Sequence, residues 1–564
     1  MSHDAFLRAI IDQPEDDLPR LVYADYLDDV GDHDRAEFIR VQCELAGMPE
    51  ADPRRPALED REHELLGTRE QEWLGGDLDD VSEWEFARGF VRSVHADSFQ
   101  AQLQGVFDRH PITQFSAMTS SDRPDGLLNR DDAWLTRIRS LDQSGARWFQ
   151  IADYALLLTA RFFPSLRDLD LSNNPGIGQL AEVLHLSPIV KQLKSLTFGG
   201  RSGINFFWGD ATNETLDVAR FNQALAHSQI EQLAAFDCGL TNSGLYWMLA
   251  APYAAHLKSL DISDNPIAPD AWRAFRHGRT GMRLGRLDVS GTPLAGISLE
   301  LLLDSPTVED LTELEMNRCG SARKNMEVLA ASGFWTRAVE LRARGGTIPA
   351  MTLDPLCQSA GPPGLRILDL GDNYLRAEGV RMLGDAPWAG SLTYLGLSRN
   401  YLDDEAARAI AQSGRFTRLR TLHLAHNDIA EEHGQTAITD AGAVALAGAP
   451  SLANLRVLTV SHTAVTEAGA AALLESDHWQ LFGLGLGGLD LSPAFVKQLA
   501  SSPRLARFQW LDLSGNPRLS GSDLMPLAES PYLSRLCELD VGNVYADEKT
   551  RQALRQRLGP RLSE

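Results

Sequence analysis

Residues 365–391 read LRILDLGDNYLRAEGVRMLGDAPWAGS, and residues 392–418 read LTYLGLSRNYLDDEAARAIAQSGRFTR. Leu365, Leu368, Leu370, Asn373 and Leu375 of the first stretch recur 27 residues on as Leu392, Leu395, Leu397, Asn400 and Leu402. The first of these positions continues outward as Leu257, Leu284, Leu311, Ala338 and Leu419, so six consecutive intervals keep one phase. Further copies open at Leu166, Leu193, Ile230, Leu455, Leu481, Phe508 and Leu536, which brings the legible copies to fourteen. A fixed period of this length marks a supersecondary unit stacked many times.

Within a copy, the apolar residues at positions 1, 4 and 6 belong on a short strand and point inward. Asn, or Cys as at Cys238, falls at position 9, where it bonds backbone groups as the chain turns away. The second half is helical: residues 405–412 read EAARAIAQ, with Asp403 placed to cap the helix start and Gly414 to stop it. One copy therefore predicts one strand and one helix. Parallel strands pack about 4.8 Å apart and helices about 8–10 Å apart, so stacking bends the array with its strands inside the curve. Each copy buries its apolar half only against its neighbours, and the ends of the stack need caps.

The spacing L-x-x-L-x-L-x-x-N/C-x-L, with Thr241, Thr439 and Thr466 followed three residues later by Gly244, Gly442 and Gly469, resembles the ribonuclease-inhibitor class of leucine-rich repeats. The resemblance runs over roughly residues 160–550. It implies an α/β fold, a horseshoe-shaped solenoid with a parallel inner sheet and outer helices. Recognition is the usual use of that inner face.

Residues before about 75 lack the repeat and read as helices over 4–11, 18–28, 35–46 and 55–73. Leu18, Leu21, Val22 and Tyr26 share one helical face, as do Phe38, Val41 and Leu45. The stretch Pro19–Gln42, PRLVYADYLDDVGDHDRAEFIRVQ, resembles the repeat-companion domain at the N-terminus of bacterial repeat proteins, particularly of planctomycetes and myxobacteria. Tyr26 stands where that family usually has Trp. The resemblance implies a bacterial repeat protein and carries no activity. Residues 86–94, FARGFVRSV, resemble the segment that follows this domain, and Val91, Val94, Ile112, Phe115 and Ala117 read as strands of degenerate opening repeats. The expected division is 1–80 for the helical domain, 81–160 for opening repeats or a cap, and 161–564 for the solenoid with its C-terminal cap. Residues 120–134 are expected to be the least ordered.

A net charge of −24 disfavours nucleic acid and anionic membrane as partners. The first residues show no charged-then-apolar leader, and no apolar run approaches the roughly 18 residues of a membrane span, so the expected location is cytoplasmic. Five cysteines are too few and too scattered for a disulfide scaffold. Cys238 and Cys319 hold equivalent positions three copies apart, beyond disulfide reach at about 4.8 Å per strand.

Gly483, Gly485 and Gly488 satisfy G-x-G-x-x-G, but Leu484 and Leu486 fill positions 4 and 6 of a copy. That puts the glycines inside a strand, away from any strand-to-helix nucleotide turn, and predicts a bare inner face open to a partner backbone. His423, His426 and His462 fall at positions 5, 8 and 8 of adjacent copies, close enough to weigh a metal site or a pH-sensitive contact against plain solvated surface. Asp28, Asp29, Asp32 and Asp34 miss EF-hand spacing. With no phosphate loop, nucleophile elbow or HExxH pair, catalysis and cofactors are not expected.

Between the leucines lie the residues whose direction the repeat fixes. Position 5 carries seven acidic residues in fourteen copies, among them Asp261, Asp288, Glu315 and Asp369. Stacked like charges cost stability, and the ridge predicts either a basic partner or a solubility role. Position 3 over the second half reads Ile367, Tyr394, Thr421, Val457, Gly483 and Trp510, with groups of the type that anchor protein interfaces. Two copies, opening at Leu193 and Leu419, are about ten residues longer than the period. The first insertion carries Phe206, Phe207 and Trp208, which either fold back over the repeats or make a second contact; the second is polar. The combined expectation is a non-enzymatic protein-recognition scaffold, an adaptor or sensor subunit, monomeric alone, that binds a protein through Ile367, Tyr394, His423, Val457, Trp510 and the acidic ridge. An inhibitor or proteolytic substrate of a partner enzyme is the competing reading.

Overall fold

A computed structural model describes residues 2–48, 54–75, 81–96, 103–117, 133–145, 158, 163–174, 177–200, 216–294, 296–320, 322–427, 430–431, 434–435, 437–534 and 537–563. The chain forms two compact units, Met1–Leu240 with Ala251–Leu257, and Thr241–Ala250 with Lys258–Glu564.

The first unit opens with four helices, α1 (His3–Asp12), α2 (Asp17–Asp29), α3 (His33–Gly47) and α4 (Arg55–Leu74), each slightly longer than the periodicity predicts. Asp16 caps α2 by accepting from Leu18 N–H at 2.9 Å, and Asp32 caps α3 through Arg35 N–H at 3.3 Å. The face that α2 buries differs from the expected one. Tyr23, Ala24 and Leu27 pack with Phe6, Ile10, Ile39 and Phe90, whereas Leu18 is 66% exposed and Leu21 and Val22 stand in solvent. The rival stripe continues into Asp25, which pairs with Arg40 at 2.7 Å, while the Tyr23 ring lies 5.7 Å from Phe6 and 6.1 Å from Phe90.

The helices are followed by a hairpin, β1 (Val81–Ala87) and β2 (Phe90–Ala96). Arg35 is buried, with its guanidinium 4.9 Å from the Trp73 ring and 5.1 Å from that of Phe90, and burial brings its pKa down to about 10. Gln42 accepts from Gly89 N–H at 2.5 Å and donates to Glu62 at 2.6 Å. Arg88 and Gly89 make the turn with φ of +53° and +86°, as a two-residue hairpin turn requires.

From β2 onward the first unit adds parallel strands in sequence: Gln114–Ala117, Ser140–Asp142, Asp168–Asp170, Ser195–Gly199 and Gln232–Phe236. The strand Ser140–Asp142 belongs to a copy, opening at Ile138, that the leucine pattern hides because buried Gln143 replaces the apolar residue at position 6. In the second unit parallel strands run from Ser259–Asp261 through Glu538–Asp540 to Leu562–Ser563, and helix Glu548–Leu558 buries Leu554 and Leu558 at the C-terminal end. The fold is an α/β leucine-rich-repeat solenoid with a helical region at its N-terminus. Not every copy contributes an α-helix: residues Ala271–His277 form a 3-10 helix instead.

Three local devices repeat. Position 8 is left-handed in every copy from Ile138 onward, with φ of +53° at Asp264, +55° at Asp372, +57° at His426 and +52° at His462. Position 9 closes the turn by donating to the position 6 carbonyl, from Asn373 Nδ2 to Leu370 at 2.9 Å, Thr463 Oγ1 to Val460 at 2.7 Å and Cys238 Sγ to Ala235 at 3.3 Å. One hydrogen-bond donor is the common requirement, which is why Asn, Thr and Cys interchange.

The third device links neighbours. Asp404, the first residue of helix Asp404–Gln412, accepts from Thr439 N–H at 2.8 Å, Thr439 Oγ1–H at 2.7 Å and Gly442 N–H at 2.9 Å at the start of the next helix. Asp440 does the same for Thr466 and Gly469, and Glu467 accepts from Ser492 N–H at 2.7 Å. The T-x-x-G pattern thus has a cause, because a Cβ on Gly442 or Gly469 would come within 2.6 or 2.4 Å of the capping carboxylate. Asp440→Ala is expected to cost about 2 kcal/mol by uncapping helix Glu467–Glu475. The measurement is hydrogen exchange of the Gly469 amide, which should quicken about thirtyfold; an unchanged rate would show that the helix holds its start without the carboxylate.

Candidate functional site

The strands of the second unit bring the sequence columns into true register. At position 3, Ile367 pairs with Tyr394, Tyr394 with Thr421, Thr421 with Val457, Val457 with Gly483, and Gly483 with Trp510. At position 5, Asp261 is followed across the sheet by Asp288, Glu315, Arg342 and Asp369.

The position 5 carboxylates have a structural task. Oδ1 of Asp261 accepts from Ser263 N–H at 2.8 Å, Oδ1 of Asp288 from Ser290 N–H at 2.8 Å, and Oδ1 of Asp369 from Gly371 N–H at 3.0 Å. Asp170, Asp512 and Asp540 close the same turn onto Ser172, Ser514 and Gly542. The acidic column is in large part a column of side-chain-to-backbone turns, and D-x-S or D-x-G was its visible signal. Burial, then the adjacent Asp288, push the Asp261 carboxyl above the usual range; burial does so at Asp288, and burial followed by Asp288 at Glu315.

The ridge is also not continuously negative. Arg286 reaches Glu315 at 2.6 Å, Arg342 reaches Glu340 at 2.5 Å, and Arg344 reaches Asp369 at 3.2 Å. Asp369 is only 2% exposed and lies 3.5 Å from the Tyr394 hydroxyl, so it supports its neighbours from below the surface.

Ile367, Tyr394, Val457 and Trp510 are half-buried on one column. The Arg342 guanidinium lies 5.3 Å from the Tyr394 ring centre, and the His423 ring 5.2 Å from it. The bare patch expected at Gly483 is absent. A Cβ there would meet Val457 at 3.1 Å and Trp510 at 3.2 Å, so the flanking side chains close over the glycine. Gly485 is likewise buried among Thr459 and Ser461.

The three histidines do not form one cluster. His426 and His462 stack with ring centres 4.3 Å apart at 10°, whereas His423 holds Thr459 Oγ1 at 3.0 Å. Their backbones explain the split, since position 8 is left-handed and position 5 lies on the strand. Burial keeps the His423 imidazole below its ordinary pKa. Among the described residues no group of three or more His, Cys, Asp or Glu is arranged to hold a metal, and no helix is long and apolar enough to cross a membrane. All five cysteines are free and buried. Phe206, Phe207 and Trp208 lie outside the described residues, while the second insertion includes a small hairpin of Ala430–Glu431 against Gly434–Gln435.

Sequence reasoning missed position 2. It carries Arg366, Arg420 and Arg456 beside the column of Ile367, Thr421 and Val457, and the segments 412–420 and 449–457 hold no Asp or Glu. It also missed a stacked pair just beyond the strands, Tyr374 and Tyr401, 5.2 Å apart.

Residues 253–271 match a family model described as Leucine Rich repeat. No curated protein matches the chain. Among solved structures, the yeast Rad7 and Elc1 complex is similar at 20% identity, over 66% of this chain and 85% of that one, with a TM-score of 0.42. An internalin from Listeria monocytogenes is similar at 16% identity, over 60% and 81%, with a TM-score of 0.36. A TLR13–ssRNA13 complex is similar at 16% identity, over 77% and 58%, with a TM-score of 0.34.

Proposed function

We propose that this leucine-rich-repeat chain is a non-enzymatic protein-recognition scaffold, an adaptor or sensor subunit that binds a protein across the open face of its second unit. The observation that carries this reading is the position 3 column. Ile367, Tyr394, Val457 and Trp510 stand half-buried in one column on the first, second, fourth and sixth of six successive strands, with Tyr394 supported from the side by Arg342 and His423. Rigid aromatic and branched side chains on a fixed backbone lose little entropy on contact, which suits them to anchor an interface. Asp261 and Asp288, whose first task is turn-making, and Glu315, which pairs with Arg286, would meet basic groups of that partner further along the same sheet.

The test is capture from a lysate of the source cell with immobilised full-length chain and with a Tyr394→Ala/Trp510→Ala variant. A species retained by the parent should fall by about tenfold or more with the variant, since anchor residues are worth about 2 kcal/mol each. Far-UV circular dichroism should be unchanged. Equal retention by a folded variant would remove the column from the interface.

A further inference from the structure

Arg420 N–H donates to the Thr393 carbonyl and Arg456 N–H to that of Arg420, each at 2.8 Å, while Thr393 N–H donates to Arg366. Arg366, Thr393, Arg420 and Arg456 therefore occupy one row at the entrance of four successive strands, about 14 Å long at about 4.8 Å per strand. Arg415 and Arg418, both exposed, lie on the turn that leads into Arg420. Arg366, Arg415, Arg418 and Arg420 make no ion pair with any described residue. Elsewhere in this unit arginines find carboxylates, as Arg318 does with Asp264 at 2.9 Å and Arg381 with Glu405 at 2.6 Å. Arg456 lies 5.6 Å from the Phe482 ring centre and bonds its own turn, which holds its guanidinium at the rim of the row.

A chain with 77 acidic and 53 basic residues has carboxylates to spare, yet the segments 412–420 and 449–457 that lead into Arg420 and Arg456 contain no Asp or Glu. Like charges at strand spacing repel. A planar guanidinium offers a two-pronged match to a carboxylate. Just inside the row lie Ile367, Thr421 and Val457, apolar or small.

We infer that the row Arg366–Arg420–Arg456, with Arg415 and Arg418, docks an acidic polypeptide segment, whose carboxylates meet the arginines while its apolar side chains lie on Ile367 and Val457. An extended segment places alternate residues about 6.6 Å apart, so two or three carboxylates span the row. A long polyanion is disfavoured because the charge of −24 surrounds a short strip. This inference rests on the reading of the open face as a recognition surface and names the chemistry of its partner.

The test uses the full chain and a fluorescein-labelled peptide of sequence ELELELE, with QLQLQLQ as its neutral counterpart, followed by fluorescence anisotropy. The acidic peptide should bind at least about tenfold more tightly than the neutral one, and its affinity should fall as salt rises from about 0.05 to 0.5 M. Arg420→Glu/Arg456→Glu should lose about tenfold or more. An Arg366→Ala/Arg418→Ala variant, which removes no ion pair among the described residues, should weaken binding in the same direction with an unchanged melting profile. No binding to the parent, equal binding of both peptides, or parent-like binding by both variants overturns the inference. So does displacement of the peptide by a single-stranded oligonucleotide that binds more tightly, which would assign the row to nucleic acid. The two readings fail separately. Loss of the captured partner with Tyr394→Ala/Trp510→Ala but not with the arginine variants leaves the scaffold standing and refutes the row. Peptide binding that needs the arginines, with capture indifferent to Tyr394 and Trp510, supports the row and refutes the column.

Discussion

Asn427→Ala is expected to open the stack locally, at a cost of about 4 kcal/mol, around the turns that follow the strands Tyr394–Gly396 and Thr421–His423. The side chain is fully buried and serves two copies at once. Its Oδ1 accepts from Asn400 N–H at 2.8 Å and Leu402 N–H at 3.1 Å, and its Nδ2 donates to the carbonyls of Leu424 at 2.8 Å and Leu397 at 3.2 Å. Alanine strands two donors and two acceptors away from water, each worth about 1–3 kcal/mol, less what relaxation recovers. Stability in a repeat array is a sum of local terms, so one global melting temperature would blur the effect. Hydrogen exchange resolves it: the amides of Asn400 and Leu402 should exchange about a thousandfold faster. Asn427→Thr should fall in between, because Thr463 shows that a hydroxyl still reaches the position 6 carbonyl. Unchanged protection in the alanine variant would mean that the leucine packing holds the turn unaided.

Gly89→Ala should cost about 3 kcal/mol and detach the hairpin from the helices of the first unit. The residue has φ of +86°, and a Cβ there would lie 2.5 Å from Ile39 Cγ1 and 2.9 Å from Ile39 Cα, so a backbone would have to move. The same shift would break the Gly89 N–H bond to Gln42. Gly47→Ala is the control, since nothing lies within 4 Å of a Cβ at that position. Urea melting followed by Trp fluorescence should separate the two, with Trp73 and Trp84 reporting from this region. A Gly89→Ala protein as stable as the Gly47→Ala protein would refute the close packing.

The period made much of this fold legible, because a strand whose inward residues repeat every 27 positions has no other register to adopt. The four N-terminal helices were legible from apolar spacing, but the buried face of α2 was not. Two stripes compete there, and the choice belongs to Phe6 and Phe90, residues distant in sequence. Ile138 escaped notice because Gln143 breaks the leucine pattern, although its backbone follows the other copies. At the candidate surface, direction was readable and occupation was not. Asp261 and Asp288 count as charges in a composition, yet each binds a backbone amide two residues on, and a count of charges ignores that competition. Arg366 and Arg420 escaped for the converse reason, since their meaning lies in the ion pairs they do not make among the described residues.

The carboxylates that cap neighbouring helices all point one way along the chain. Asp404 caps the helix begun by Asp440, Asp440 caps the helix begun by Glu467, and Glu467 reaches Ser492. A polypeptide leaving the ribosome N-terminus first makes each acceptor before the donors that use it, at a pace of about 5–20 residues per second. Every new helix in this stretch thus emerges beside a finished template, and truncation within it is asymmetric: shortening the chain from its C-terminus leaves the remaining helices with their neighbour's carboxylate, whereas shortening it from the N-terminus takes that carboxylate from the first remaining helix and leaves it only its own Thr or Ser cap.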